Sequence, residues 1–265
     1  MDFDTFPDGN VLDSQPQVSA YPSGHLPGMP MDIPARSPLS TTSSESDGYV
    51  SVVPFQIISW HPRIIYYPGF ANNSVCDKMV QIASASLKVA AADPAPKGVV
   101  EEQRNNHGIT EVSLPPTKDR SGVLAWVEEK IARVSLLPVS SGEQMKIFKY
   151  DANQGYEPHF DTLDRSYGPQ SSLRVATFLL FLSDWEGGGE TLFPLEGAEN
   201  LERLRSLDYK SCDLGLKVRP QKGDGLLLLN TNPDATIDMH ALHGGCPVVQ
   251  GEKWLAKKWM NDKKD

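Results

Sequence analysis

Between Met145 and Met260 the spacing of apolar residues changes, and that change limits the fold more than any other feature of the chain. Met145-Lys146-Ile147-Phe148-Lys149-Tyr150, Leu173 to Leu182, Gly225 to Asn230 and Lys253 to Met260 are short runs rich in aliphatic and aromatic residues, separated by Gly, Pro and Asp. Runs of that length bounded by turn residues read as strands. Upstream the period is helical. Val75, Met79, Ile82, Ala83 and Leu87 predict an amphipathic helix over 74–88, and Asn72-Asn73-Ser74 offers N-cap chemistry at its start. Val123, Leu124, Val127, Ile131 and Val134 predict a second helix over about 119–136. Two short strands, 53–60 and 64–67, are expected around His61-Pro62. Helices followed by a run of strands argue for an α+β domain whose helices buttress a mainly antiparallel sheet or barrel. Residues 91–118 and 162–172 read as long loops, candidates for closing over a ligand.

The first fifty residues read differently. They are rich in Pro, Ser, Gly and Asp and show no apolar periodicity, so they are expected to be a disordered tail, with one folded domain over 51–265. Seven acidic side chains against Arg36 alone put −6 of the formal net charge of −9 in that tail, which leaves −3 for the remainder. A near-neutral globular part without a basic stripe disfavours nucleic acid as a partner, because phosphate contacts need clustered Lys and Arg. Three widely spaced cysteines, Cys76, Cys212 and Cys246, form no CxxC pair; they allow one bridge and leave one thiol over. No apolar run approaches a membrane span, and Met1-Asp2-Phe3-Asp4 is not a secretory signal, so the chain as written reads as soluble and, if complete, cytosolic.

Six histidines are present. His159 and Asp161 stand two apart in Tyr156-Glu157-Pro158-His159-Phe160-Asp161, and on an extended strand those two side chains share a face while Phe160 takes the other. Two imidazoles and one carboxylate on one face form the facial triad of non-haem iron(II), which leaves adjacent coordination positions open. A lone HxD is weak evidence, since such a pair is more often on a surface. The segment from Leu242 to Trp254 strengthens it by supplying His243 and, ten residues on, Lys253. Pro247 and Gly251 lie between them, so the two could face one cavity from neighbouring strands. A dicarboxylate chelated to a metal at one end needs a cation at the other. Taken alone, Lys253 could equally be a solvated lysine beside Lys257 and Lys258. His240, three residues before His243, is expected to be exposed and not to ligate.

Three ordered segments then carry a resemblance: Tyr156 to Asp161; Gly188-Gly189-Glu190-Thr191 with Phe193-Pro194; and His243-Gly-Gly-Cys-Pro-Val-Val-Gln-Gly-Glu-Lys253-Trp254 with Lys258-Trp259. Together they resemble the prolyl 4-hydroxylase family, its plant and green-algal members above all, from about Pro54 to Trp259. The resemblance implies a double-stranded β-helix (jelly-roll) core with flanking N-terminal helices. It also implies procollagen-proline-type 4-dioxygenase chemistry, in which peptidyl proline is hydroxylated at C4 with iron(II), 2-oxoglutarate, oxygen and ascorbate. By matched position, His159, Asp161 and His243 are the implied metal ligands and catalytic residues, and Lys253 the partner of the far carboxylate of 2-oxoglutarate. Tyr150 and Thr191 look like hydroxyl donors to that carboxylate, and Trp259 like an aromatic lining the pocket. Arg104, Tyr156 and Arg174 resemble positions that contact the peptide. The expected partner is a proline-rich or hydroxyproline-rich polypeptide, the expected enzyme a monomer, and the implied residence the endoplasmic reticulum. Asn105-Asn106-His107 after Arg104, and Asn261 two residues after Trp259, depart from the family's pattern at positions that look substrate-facing. Two competing readings remain: a 2-oxoglutarate dioxygenase of another substrate class, and a catalytically dead jelly roll kept for binding peptide.

Overall fold

The computed structural model describes residues 53–92, 109–162 and 172–262, together with Pro30–Met31. The strands are β1 (Pro30–Met31), β2 (Gln56–Trp60), β3 (Arg63–Tyr67), β4 (Thr110–Leu114), β5 (Met145–Tyr150), β6 (Tyr156–His159), β7 (Arg174–Phe181), β8 (Gly187–Gly188), β9 (Thr191–Phe193), β10 (Leu216–Val218), β11 (Gly225–Leu229), β12 (His243–Gly245), β13 (Val248–Gln250) and β14 (Lys253–Asn261). The two α-helices are α1 (Asn73–Ala92) and α2 (Val123–Ser135).

Local chemistry sets the helix starts. The Asn72 side chain accepts the Val75 amide at 2.9 Å, which satisfies one of the free N–H groups of the first turn of α1. Ahead of α2 the Asp119 carboxylate accepts the amides of Ser121 and Leu124 at 2.8 and 2.9 Å, and Gly122 takes a left-handed φ of 75° just before the first turn. Leu124, Val127 and Ile131 then fall on the buried stripe of α2, as their helical spacing predicts.

The strands form a seven-stranded sheet in the order β2-β3-β11-β7-β14-β5-β4, a five-stranded sheet in the order β1-β10-β9-β12-β6, and the small pair β13-β8. Every pairing in the large sheet is antiparallel. In the five-stranded sheet only β1 runs parallel to its neighbour, placing Pro30 and Met31 opposite Lys217 and Val218. The rest of the acidic tail lies outside the described residues.

Alternation along the large sheet sorts its side chains into two cores. Met145, Ile147, Phe178, Leu180, Trp254, Ala256 and Met260 join Cys76 and Met79 of α1 and Leu124, Val127 and Ile131 of α2. Their neighbours Phe148, Tyr150, Leu179, Phe181 and Leu255 join Phe193, Leu216 and Val218 of the small sheet and Val248. The molecule is therefore layered as helices, large sheet, small sheet. Burying a large aliphatic or aromatic side chain is worth about 1.5–3 kcal/mol, so both interfaces hold the layers in register.

The expected helices and long strands are present, with α1 extending past the expected end. The expected loop over 91–118 needs correction: within it Thr110–Leu114 pairs along β5 as the edge strand of the large sheet, and Pro116–Lys118 makes a helical turn. Residues 93–108 and 163–171, which include most of both expected lids, lie outside the described residues. Cys212 and Cys246 are bridged, with Cα atoms 5.9 Å apart, and Cys76 is a buried thiol outside that bridge. Among the described residues no helix is long and apolar enough to cross a membrane.

Candidate active site

The site is assembled from cross-strand pairs. His243 on β12 lies opposite His159 on β6, which brings the two imidazole centroids to 4.7 Å. Close approach of these strands requires Gly244, where a Cβ would meet the Tyr156 carbonyl oxygen at 2.8 Å. Asp161 follows two residues after His159, with one carboxylate oxygen 3.4 Å from His159 Nε2 and the other 3.3 Å from His243 Nε2. Among the described residues these three form a group whose ligand atoms all lie within 4.8 Å of one another.

Each imidazole is oriented by its own chain. His159 Nδ1 lies 2.8 Å from the Glu157 carbonyl oxygen and His243 Nδ1 lies 3.0 Å from that of Ala241. A carbonyl only accepts, so Nδ1 carries the proton and the Nε2 lone pair of each ring faces Asp161. His243 Nε2 is buried without a hydrogen-bond partner, an arrangement that a metal ion satisfies. Burial pushes the His159 imidazolium down to about 4, so the ring is neutral near pH 7. Burial works to raise the Asp161 carboxyl, but the charge of the Lys257 ammonium beside it is the largest opposing cause, and the carboxyl lies well below the usual carboxylate range. Two imidazole nitrogens and one carboxylate fit a divalent ion of the iron(II) type.

Asp161 is held from behind. Thr177 Oγ1 donates to its Oδ2 at 2.6 Å, Asn230 Nδ2 donates to that Thr177 hydroxyl at 2.9 Å, and Arg174 donates to the Asp161 backbone carbonyl at 3.2 Å.

Lys253 and Tyr150 are partners across β14 and β5, and Thr191 of β9 lies opposite Gly245 of β12. Tyr150, Tyr156, His159, Thr191, His243, Lys253 and Lys257 line one narrow cavity. The buried Lys253 ammonium sits 5.1–5.5 Å from the ring centroids of Tyr150, Phe181 and Trp185 and donates to the Gly189 carbonyl at 2.7 Å. Gly189 reaches that position with a φ of 70°. Burial pushes this ammonium down to about 7, with Glu190 pulling the other way. A dehydrated cation at one end of a cavity and a metal-ligating triad at the other suit a chelating dicarboxylate.

Comparison with known proteins agrees. The chain is 43% identical over 226 residues to Probable prolyl 4-hydroxylase 9 of Arabidopsis thaliana, covering 85% of this chain and 76% of that protein. The chain belongs to the prolyl 4-hydroxylase family. Prolyl 4-hydroxylase 13 of the same plant is 41% identical, with 84% of this chain and 79% of that protein covered. The sequence model of the 2OG-Fe(II) oxygenase superfamily matches residues 145–261. Among solved structures, the 2OG complex of a viral collagen prolyl hydroxylase from Paramecium Bursaria Chlorella virus-1 overlays with a TM-score of 0.52 at 21% identity, covering 76% of this chain and 96% of that one. This prolyl 4-hydroxylase is thus an iron(II)- and 2-oxoglutarate-dependent dioxygenase.

The residues expected to gather in this enzyme lie as follows. His159, Asp161, His243, Lys253, Tyr150, Thr191 and Tyr156 surround or touch the cavity. Trp259 is buried beside it, not among the lining residues, with the Arg174 guanidinium 4.1 Å above its ring. Glu143 grips Arg174 through both carboxylate oxygens and lies 3.4 Å from Asn261 Nδ2. Arg104 lies outside the described residues. Two expectations need correction. His243 and Lys253 face one cavity from opposed sheets, not neighbouring strands, because β13 intervenes and returns the chain to β14. His240 is not exposed: its side chain is 12% accessible, on a short helical turn, with Nδ1 3.3 Å from Asp238 and its ring 5.5 Å from that of His61.

Lys257 and Thr177 were not singled out by sequence reasoning, though each left a signal. Lys257 is four residues from Lys253 and so shares its face of the strand, and Thr177 is the single hydroxyl inside the apolar run Val175 to Phe181.

Proposed function

We propose that this enzyme hydroxylates C4 of proline in a proline-rich or hydroxyproline-rich polypeptide, consuming oxygen and 2-oxoglutarate and releasing succinate and carbon dioxide, with ascorbate as supporting reductant. The observation that carries the reading is the pairing of the triad with a buried lysine at the two ends of one cavity. On this reading the two facing sheets are a double-stranded β-helix, and residues 51–265 are a single catalytic domain that works as a monomer.

His159, Asp161 and His243 hold the iron. Lys253, with the Tyr150 and Thr191 hydroxyls, takes the far carboxylate of 2-oxoglutarate; burial raises the Tyr150 hydroxyl pKa, so it remains a donor. When bound, the metal with oxygen and the 2-oxo acid supplies the oxidant that inserts one oxygen atom into a C–H bond. The protein's share is placement and exclusion of water. Thr177 and Asn230 keep Asp161 aimed, and the two backbone carbonyls keep each Nε2 aimed. Tyr156, whose ring is 4.2 Å from that of His159, and Arg174, stacked on Trp259, form the wall at which an extended peptide meets the metal, with Arg104 as a further contact. Proline-rich chains favour polyproline II, which suits recognition by aromatic walls. The Cys212–Cys246 bridge favours an oxidising compartment such as the endoplasmic reticulum.

The test is incubation with iron(II), ascorbate, 2-oxoglutarate and peptides bearing poly-proline, Ser-Pro or collagen-like repeats. Mass spectrometry should show one added oxygen on proline, matched by succinate. Metal-loaded protein that oxidises no such peptide but turns over with another substrate class would overturn the proline assignment. Protein that binds peptide with neither metal nor turnover would be the dead module.

A further inference from the structure

We propose that Lys257 is a second cation for the co-substrate, serving the carboxylate next to the ketone. The inference rests on the co-substrate reading above and deepens it.

Lys253 and Lys257 lie on one face of β14, four residues apart, so their Cα atoms are about 13 Å from each other. Both side chains line the same cavity. Lys257 is 4% exposed, and its ammonium is 3.4 Å from Asp161 Oδ1 and 5.4–5.9 Å from the ring centroids of Trp259, Tyr156 and Phe148. It therefore stands at the metal end, while Lys253 stands at the far end.

Charge gives it a task there. A 2-oxo acid that chelates the metal brings its near carboxylate close to a ligand, Asp161, that is already a carboxylate. Two carboxylates in a dry site repel strongly unless a cation lies between or beside them. The contact to Asp161 is long and engages one of the three N–H donors of an ammonium. Asp161 is already anchored by Thr177 at 2.6 Å, so its position does not depend on the lysine. A lysine so placed can hold the near carboxylate and offset the repulsion at once.

The experiment uses the full chain loaded with manganese(II) and measures equilibrium binding of 2-oxoglutarate and of 2-oxobutyrate, a 2-oxo acid without the far carboxylate. Lys257→Met and Lys257→Gln are expected to weaken both ligands by a similar factor, about 10- to 100-fold for loss of a charge-assisted contact. Lys257→Arg should recover most of that loss. Manganese(II) affinity without ligand should stay level or rise, because a neighbouring positive charge is gone. Lys253→Met should weaken 2-oxoglutarate and spare 2-oxobutyrate. Unchanged 2-oxobutyrate binding in the Lys257 variants, or loss of manganese(II) binding as their main effect, would overturn the proposal and leave Lys257 as a support for Asp161. Wild-type protein that binds manganese(II) but not 2-oxoglutarate would overturn the co-substrate reading itself, and this proposal with it.

Discussion

Lys257 and Lys258 are neighbours on β14, each 4% exposed, and they serve opposite faces of the large sheet. Lys258 points toward the helices among Trp254, Ala256 and Met260 and pairs with the buried Glu128 of α2. Lys257 points toward the small sheet with Lys253, Leu255 and Trp259. The helix-side cation has its counter-charge built into the chain. On the other face, two lysines and one carboxylate crowd a cavity, and in the proposed function a bound dicarboxylate balances them. A buried charge thus takes its meaning from what it faces: a closed pair fixes a helix on a sheet, and an open one receives a ligand.

The difference can be broken most severely at the triad. His243→Ala should abolish metal binding and lower succinate formation to background, read by metal content and turnover. Full iron loading with activity would show that the ligands are misassigned. On the helix side, Lys258→Met strands the Glu128 carboxylate, and urea unfolding should show a loss of about 3–5 kcal/mol, largely recovered by adding Glu128→Leu. Metal and co-substrate affinity per folded molecule should not change. If that variant lost co-substrate binding at unchanged stability, the two faces would not be separate.

Lys253→Met should raise the KM for 2-oxoglutarate about 30-fold or more, with a smaller change in kcat, since a buried charge partner is removed. The same residue predicts a pH dependence. The ammonium that receives the far carboxylate is intact below about 7 in the empty protein and is lost as pH rises through that value. Binding of 2-oxoglutarate should therefore weaken above pH 7, by up to about tenfold per unit, with uptake of a proton. Lys253→Met should abolish that slope in a titration across pH 6–9. The smallest effect is expected at Thr177→Val, which removes the hydroxyl behind Asp161 and should weaken metal binding about tenfold, seen in a competition titration.

The long elements were legible because period and burial agreed. Residues 145–150 and 253–260 are short runs rich in apolar residues and bounded by turn residues, and α2 shows a clean stripe. The small sheet was not legible, because β9, β10 and β12 are three residues each, as is β13 of the separate pair, and too short to show a period. That is why His243 and Lys253 were read as neighbours. The edge strand β4 was hidden by Pro115-Pro116 and the polar stretch before it. His159 with Asp161 could be read from their spacing, and Lys253 from its distance to His243. Lys257 was passed over because in sequence it is one of two adjacent lysines, although its four-residue spacing from Lys253 sets it on the opposite face from Lys258. His240 looked exposed because it follows a polar segment, yet its turn folds it against His61.

The central claim is that one dicarboxylate spans the cavity from the triad to Lys253. The most direct measurement is a crystal structure with manganese(II) and 2-oxoglutarate. The metal should sit on His159 Nε2, His243 Nε2 and the Asp161 carboxylate, with the far carboxylate on Lys253 Nζ. A metal held elsewhere, or a co-substrate whose far carboxylate lies away from Lys253, would contradict it.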